Sequence, residues 1–287
     1  MNSKLSVLYM ITSCMFFAAG TICSKILGLM NSTNALHPLQ VAHARFFFAL
    51  IFISVFILIQ SKPISSDNLR IHFIRSSCGW AGVSILFTAI LFIPVSDATA
   101  ITFLNPIFAM LLAVFILNEK VGVYRGFAAL ITFSGAILLI RPTSNLGFNP
   151  VAAFCLLGAI IMGLEIICIK ILSGRENFPQ ILFINNLMAT IIGTIPVIFV
   201  FQLPDLVQVF FLVSVGLCFL LGQFFFLNAM RGSETTFIAP FFYSTLIFVM
   251  ILDFLIYKNF PDLVSFIGSA IIVIGGTFIA YRERLKS

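Results

Sequence analysis

Charge is scarce in this sequence, so the few ionisable residues set inside apolar stretches carry its chemistry. Glu165 stands in Met162-Gly163-Leu164-Glu165-Ile166-Ile167. A carboxylate in such a setting binds an ammonium or sulfonium group, cycles a proton, or pairs with a basic residue of another helix. Arg45 offers a planar guanidinium that clamps a carboxylate bidentately, snorkels to an interface, or pairs with Glu165. Lys25 and Lys170 sit near the ends of apolar stretches, where a lysine either snorkels or gates a path by pairing in one state only. Trp80, the sole tryptophan, either marks a lipid interface or stacks on a ligand. Asn105, Asn185, Asn186, Gln223, Asn228 and Tyr243 are polar groups in apolar surroundings, suited to hydrogen bonds between helices. From these we draw a candidate substrate-binding set of Glu165, Arg45, Gln223, Tyr243, Trp80 and Asn105. Lys25, Lys170 and Asn185 form a candidate gating or coupling set. No metal or cofactor is expected. His37, His43 and His72 lack ligand spacing, and the six cysteines form no C-x-x-C pair. The sequence has no G-x-x-x-x-G-K-[ST] run to hold a nucleotide.

Apolar residues make up 61% of the 287 and charged residues 9%. A soluble domain averages about 25% charged residues, so lipid must solvate most of this chain. The formal charge of +6 comes from scattered residues and makes no nucleic-acid face. A spanning helix takes roughly 20 mostly apolar residues. Spans are predicted near 5–27, 39–60, 72–93, 98–117, 123–141, 150–172, 180–201, 207–229, 235–257 and 263–281. The first follows Lys4 and runs 20 residues without a charge. That exceeds the roughly 7–15 apolar residues of a cleaved leader, so it is read as a span. With the N-terminus inside, eleven of the 16 basic residues, Arg70 and Arg75 among them, fall on the inner side. Two, Arg141 and Lys258, fall outside. This bias predicts both termini in the cytoplasm and an even number of spans.

Several features recur at a near-constant offset. Asp97-Ala98-Thr99 opens the fourth span and Glu234-Thr235-Thr236 the ninth. Ala128, Gly135 and Ala136 are matched by Gly268, Gly275 and Gly276. Cys23-Ser24-Lys25 is echoed by Cys168-Ile169-Lys170. The chain therefore divides into a five-helix repeat over 1–141, an outer connection over 142–149, and a second repeat over 150–287 with a basic tail. Five is odd, so the halves enter the membrane from opposite sides, the usual construction of a secondary carrier with a midplane site. The expected fold is an all-α integral membrane protein of ten transmembrane helices, a five-plus-five inverted repeat. Pro106 and Pro240 should kink the fourth and ninth spans. The small residues Ala128, Gly135, Gly268 and Gly275 should let the fifth and tenth helices pack closely as scaffold.

The order of several short segments across both halves carries a resemblance. They are Ala44-Arg45-Phe46-Phe47-Phe48, Pro94-Val95-Ser96-Asp97-Ala98, Asn105-Pro106, Leu117-Asn118-Glu119-Lys120, the run Gly126 to Gly135, and Phe260-Pro261-Asp262. On these the whole chain resembles the drug/metabolite transporter superfamily in its ten-helix EamA-type branch. Within that branch it is most similar to the S-adenosylmethionine uptake carriers of intracellular bacteria. Other members move amino acids, amines or nucleotide-like metabolites. Asn259 stands where the pattern has an acidic residue. The resemblance implies a monomeric secondary transporter in a bacterial inner membrane. It would move a small charged solute by alternating access, with protons or an exchanged metabolite as coupling partner. An amino-acid or drug exporter of the same fold, and a non-transporting scaffold or receptor, are the competing readings. An intramembrane enzyme lacks its motifs, having no H-E-x-x-H and no G-x-S-x-G.

Overall fold

The computed structural model describes residues 3–30, 35–60, 66–116, 123–140, 150–173, 175–232, 239–258 and 262–284. Among them the elements are all helical. In chain order they are α1 (Ser3–Leu29), α2 (Pro38–Gln60), α3 (Leu69–Ala89), α4 (Val95–Thr102), α5 (Asn105–Ile116), α6 (Val123–Ile140), α7 (Pro150–Ser173), α8 (Phe178–Val200) and α9 (Leu206–Gly232). A 3-10 helix (Ala239–Tyr243), α10 (Ser244–Tyr257) and α11 (Leu263–Arg284) follow. Six segments are long and apolar enough to cross a membrane: Lys4–Leu29, Pro38–Ile59, Val95–Ile116, Pro150–Leu172, Pro179–Val200 and Leu206–Phe226. Phe241–Tyr257 and Leu263–Gly275 are shorter apolar helices. The outer surface is itself apolar: Phe115 is 80% exposed and Phe199 84%. Lipid contact makes such exposure favourable.

The fourth expected span is two helices. Pro106 has no N–H to give the Thr102 carbonyl. The ladder tightens there, with Leu104 N donating to Ile101 O at 3.1 Å and Ile107 N to Leu104 O at 2.9 Å. Of the ninth expected span, residues 239–257 are described, and there a 3-10 helix containing Pro240 leads directly into α10. Glu119, Asn259 and the acidic opening of the ninth span at Glu234 lie outside the described residues.

Helix contacts come in matched sets. α1 packs on α9 as α7 packs on α3, α5 lies on α7 as α10 lies on α1, and α2 meets α9 as α8 meets α3. α2 with α8, α4 with α10, and α6 with α11 complete the bundle. The α6–α11 pairing needs its glycines. A Cβ at Gly135 would lie 2.8 Å from the Gly268 carbonyl oxygen, and one at Gly275 3.0 Å from Thr132 N. The side chain of Ala128 is outside the described residues.

Each end of the bundle is tied across elements. At one end Gln40 of α2 donates to Gln202 O at 2.8 Å and accepts from Gln202 N at 3.0 Å. At the opposite end Glu176, between α7 and α8, takes hydrogen bonds from the start of α3. Ser66 Oγ donates to Oε1, Asn68 Nδ2 donates to it at 3.1 Å, and His72 Nε2 lies 2.8 Å from Oε2. Gln180 donates to the same carboxylate at 2.9 Å. Burial alone would raise the pKa of Glu176, but the bonds from Ser66, His72, Asn68 and Gln180 outweigh it and hold the carboxyl down at about 2.

Candidate functional site

Glycines bring α3, α5 and α7 close enough to enclose Glu165. A Cβ at Gly163 would meet Phe108 Cβ at 2.8 Å and the Ala109 backbone nitrogen at 2.9 Å, so α7 lies directly on α5. One at Gly158 would meet Ile85 at 2.8 Å, which seats α7 on α3. Gly79 of α3 leaves the space that the Glu165 carboxylate fills, since a Cβ there would lie 3.0 Å from Oε1 and 3.2 Å from Oε2. Glu165 is about 12 Å from the Ser173 end of α7 by helical rise. Deep as it is, it is only half-buried. Among the described residues its carboxylate has no cation within 4.0 Å, the ion pairs being elsewhere. Arg75 and Arg45 act on it electrostatically from beyond that range.

The two arginines are held differently. Arg45, buried in α2, stacks its guanidinium over the rings of Phe219 at 4.2 Å and Phe46 at 4.7 Å. Arg75, buried in α3, donates Nη1 to the Ile181 carbonyl of α8 at 3.0 Å, while its Nε is buried with no partner among the described residues. Beside it, Ser76 Oγ donates to Asn185 Oδ1 at 3.2 Å. Asn185 is thus a tie between α8 and α3.

Aromatic rings line the other side. Phe219 of α9 meets Phe17 and Phe87 with centroids 5.8 Å apart in both cases. Phe17 continues to Phe242 at 5.9 Å, and Phe103 joins Phe242 at 5.2 Å and Tyr243 at 5.7 Å. Tyr243 is buried among these rings. Gln223, one turn beyond Phe219, is half-buried, as is Asn105 at the start of α5. Trp80 follows Gly79, and its Nε1 is buried without a partner among the described residues, against Gly193 of α8.

The structure therefore brings Glu165, Arg45 and Asn185 into one region with Arg75. It leaves the two lysines out. Lys170 is exposed in the last turn of α7. Lys25 turns inward, its Nζ 2.9 Å from Asp253 Oδ1 of α10 and 4.3 Å from the centre of the Tyr257 ring. Arg75 and Asp253 were not among the sequence candidates. Arg75 counts as an inner-side charge marker when read from sequence, but it is buried, six residues into α3. Its signal was the spacing of His72, Arg75, Ser76 and Gly79, one helical face of polar and small residues.

The model of the EamA-like transporter family matches residues 4–141 and again residues 149–281. The chain belongs to that family. It is a multi-pass membrane transporter. It is 28% identical over 268 residues to the S-adenosylmethionine uptake transporter of Rickettsia bellii, covering 93% of this chain and 90% of the relative. It is 25% identical to the pseudopaline exporter CntI of Pseudomonas aeruginosa, covering 74% of this chain and 75% of the relative. One solved crystal structure superposes with a TM-score of 0.62 at 17% identity, over 96% of this chain and 99% of its own, which shows the fold.

Proposed function

We propose that this protein is a secondary carrier that moves a small charged metabolite across a bacterial inner membrane by alternating access, with S-adenosylmethionine the first candidate. One observation carries the reading. Glu165 lies deep between helices, half-buried against Gly79, with no close counter-ion among the described residues and two buried arginines within electrostatic reach. A charge within a membrane is costly unless it faces a cavity or a partner. Here the carboxylate takes the ammonium or sulfonium group of the solute, Arg45 takes its carboxylate, and the rings around Phe219 take its flat part.

Ten crossings arranged as two inverted halves, 1–141 and 150–287, with both termini cytoplasmic, supply the movement. The twofold family match and the matched helix contacts support that division. The break between α4 and α5 and the 3-10 turn that opens α10 occupy corresponding places in the halves, in keeping with carriers of this construction. The uptake name of the Rickettsia relatives favours import.

Counterflow in proteoliposomes tests this. Vesicles loaded with unlabelled S-adenosylmethionine should accumulate the labelled compound, and Glu165→Gln should abolish accumulation while leaving a monodisperse, folded protein. Entry independent of internal substrate, or wild-type kinetics in Glu165→Gln, would sink the reading.

A further inference from the structure

The surroundings of Glu165 recur in the other half with the side chains exchanged. The offset that carries Cys23 to Cys168 carries Gly20 of α1 to Glu165 of α7. The offset that carries Gly135 to Gly275 carries Gly79 of α3 to Phe219 of α9. Contacts follow the same rule. The Glu165 carboxylate fills the space left by Gly79, and the Phe219 ring fills the space left by Gly20, where a Cβ would lie 2.8 Å from Cδ2 and Cε2. One turn along, Gly82 faces Met162, and its counterpart Gly222 faces Phe17, the counterpart of Met162. Arg45 of α2 and its counterpart Asn185 of α8 close the two places. Arg45 lies over the Phe219 ring, and Asn185 accepts from Ser76, one turn from Gly79. Gly20 is about 14 Å from the Leu29 end of α1 by helical rise, much as Glu165 is about 12 Å from the Ser173 end of α7.

We propose that Phe219 is the specificity-determining counterpart of Glu165, and that its face receives a planar ring joined to the solute's cationic group. This rests on the carrier reading above and adds a requirement to it, namely that the solute must bear a flat ring. An inverted-repeat carrier has its site at the interface of the halves. Positions related by the repeat flank that site equally, so Phe219 stands on one side as Glu165 stands on the other. Exchanging glycine and large side chain between the facing helices fills both places, yet makes one a carboxylate and the other an aromatic face. The carboxylate suits an ammonium or sulfonium group, and the aromatic face suits a flat ring by stacking. Phe17 of α1 and Phe87 of α3 brace the Phe219 ring, each tilted 52° to it with centroids 5.8 Å away. The Arg45 guanidinium, itself planar, lies over the ring at 4.2 Å and marks the place a flat group takes. When the solute enters, Arg45 leaves the ring for the solute's carboxylate, and the solute's ring replaces it there. The carrier thereby favours an S-adenosyl sulfonium over the same sulfonium amino acid without a ring.

Competition against counterflow of labelled S-adenosylmethionine tests this. The probe is S-methylmethionine, which keeps the sulfonium, the ammonium and the carboxylate but has no ring. In wild type it should compete at least roughly 10-fold more weakly than unlabelled S-adenosylmethionine. Phe219→Leu keeps an apolar side chain over Gly20 but removes the flat face. It should raise KM for S-adenosylmethionine on the order of 10-fold, while the inhibition constant of S-methylmethionine moves by less than about twofold. Phe219→Tyr, which keeps the face, should restore most of the discrimination between the two compounds. Equal competition by both compounds in wild type would overturn the ring requirement, an arm that holds even if a variant does not fold. An unchanged KM in Phe219→Leu, or an equal rise for both compounds, would reduce Phe219 to packing and overturn its role in selection. Absence of wild-type counterflow would instead overturn the carrier reading on which the proposal stands.

Discussion

Breaking the Lys25–Asp253 pair should cost far more than removing it whole. The two side chains are 6% and 3% exposed, with Nζ and Oδ1 2.9 Å apart. At an effective dielectric of about 20 the attraction at that distance is roughly 6 kcal/mol, an upper bound before desolvation is charged against it. Removing one partner strands the other, at a cost of about 3–5 kcal/mol. Lys25 also loses the Tyr257 ring, which contributes about 0.5–2 kcal/mol. Lys25→Met and Asp253→Asn should each lower Tm on the order of 10 °C. The double variant should recover most of that loss, because it strands no charge. Thermal unfolding of the detergent-solubilised protein, followed by size-exclusion fluorescence, gives the four corners of the cycle. Single variants within about 1 °C of wild type, or a double variant as damaged as the sum of the singles, would refute the pairing and the energetics drawn from it.

Two further outcomes follow from the geometry. Glu176 titrates at about 2 in the folded chain against an ordinary 4.5, so its share of stability is fully present above about pH 4.5 and is lost as pH falls through 2. An acid titration of unfolding should therefore show a limb that Glu176→Gln flattens, and an unchanged limb in that variant would remove the carboxylate from the tie. Gly79→Ala places a Cβ 3.0 Å from Glu165 Oε1, so the carboxylate must shift by a few tenths of an ångström. Overpacking of this kind costs about 1 kcal/mol at its lower end, or roughly fivefold in affinity. KM for counterflow should rise by a factor of that order with Tm lowered by only about 2–4 °C, and a large Tm loss with normal KM would place Gly79 in packing alone.

Much of this protein is written in one dimension. Apolar runs of about 20 residues specify helices in lipid because a helix satisfies its backbone hydrogen bonds within the one segment. The break at Pro106 follows from a missing N–H. Glu165 stood out because an acidic residue in an apolar run has to answer for its cost, and Gly135 and Gly268 announced a close helix contact that α6 and α11 make. Partners were another matter. Lys25 was visible, but Asp253 lies 228 residues away and only the packing of α10 on α1 joins them. Arg75 was hidden by its position. A basic residue within two turns of a helix end either snorkels outward or turns in, and hydropathy is the same in both cases. Which way it turns depends on the Ile181 carbonyl of α8 and on the glycine that seats Glu165 one turn along α3. The sequence determined that charges in this membrane protein must be matched; tertiary packing decided which charges meet, because a side chain's neighbours are set by how helices cross and not by their order along the chain.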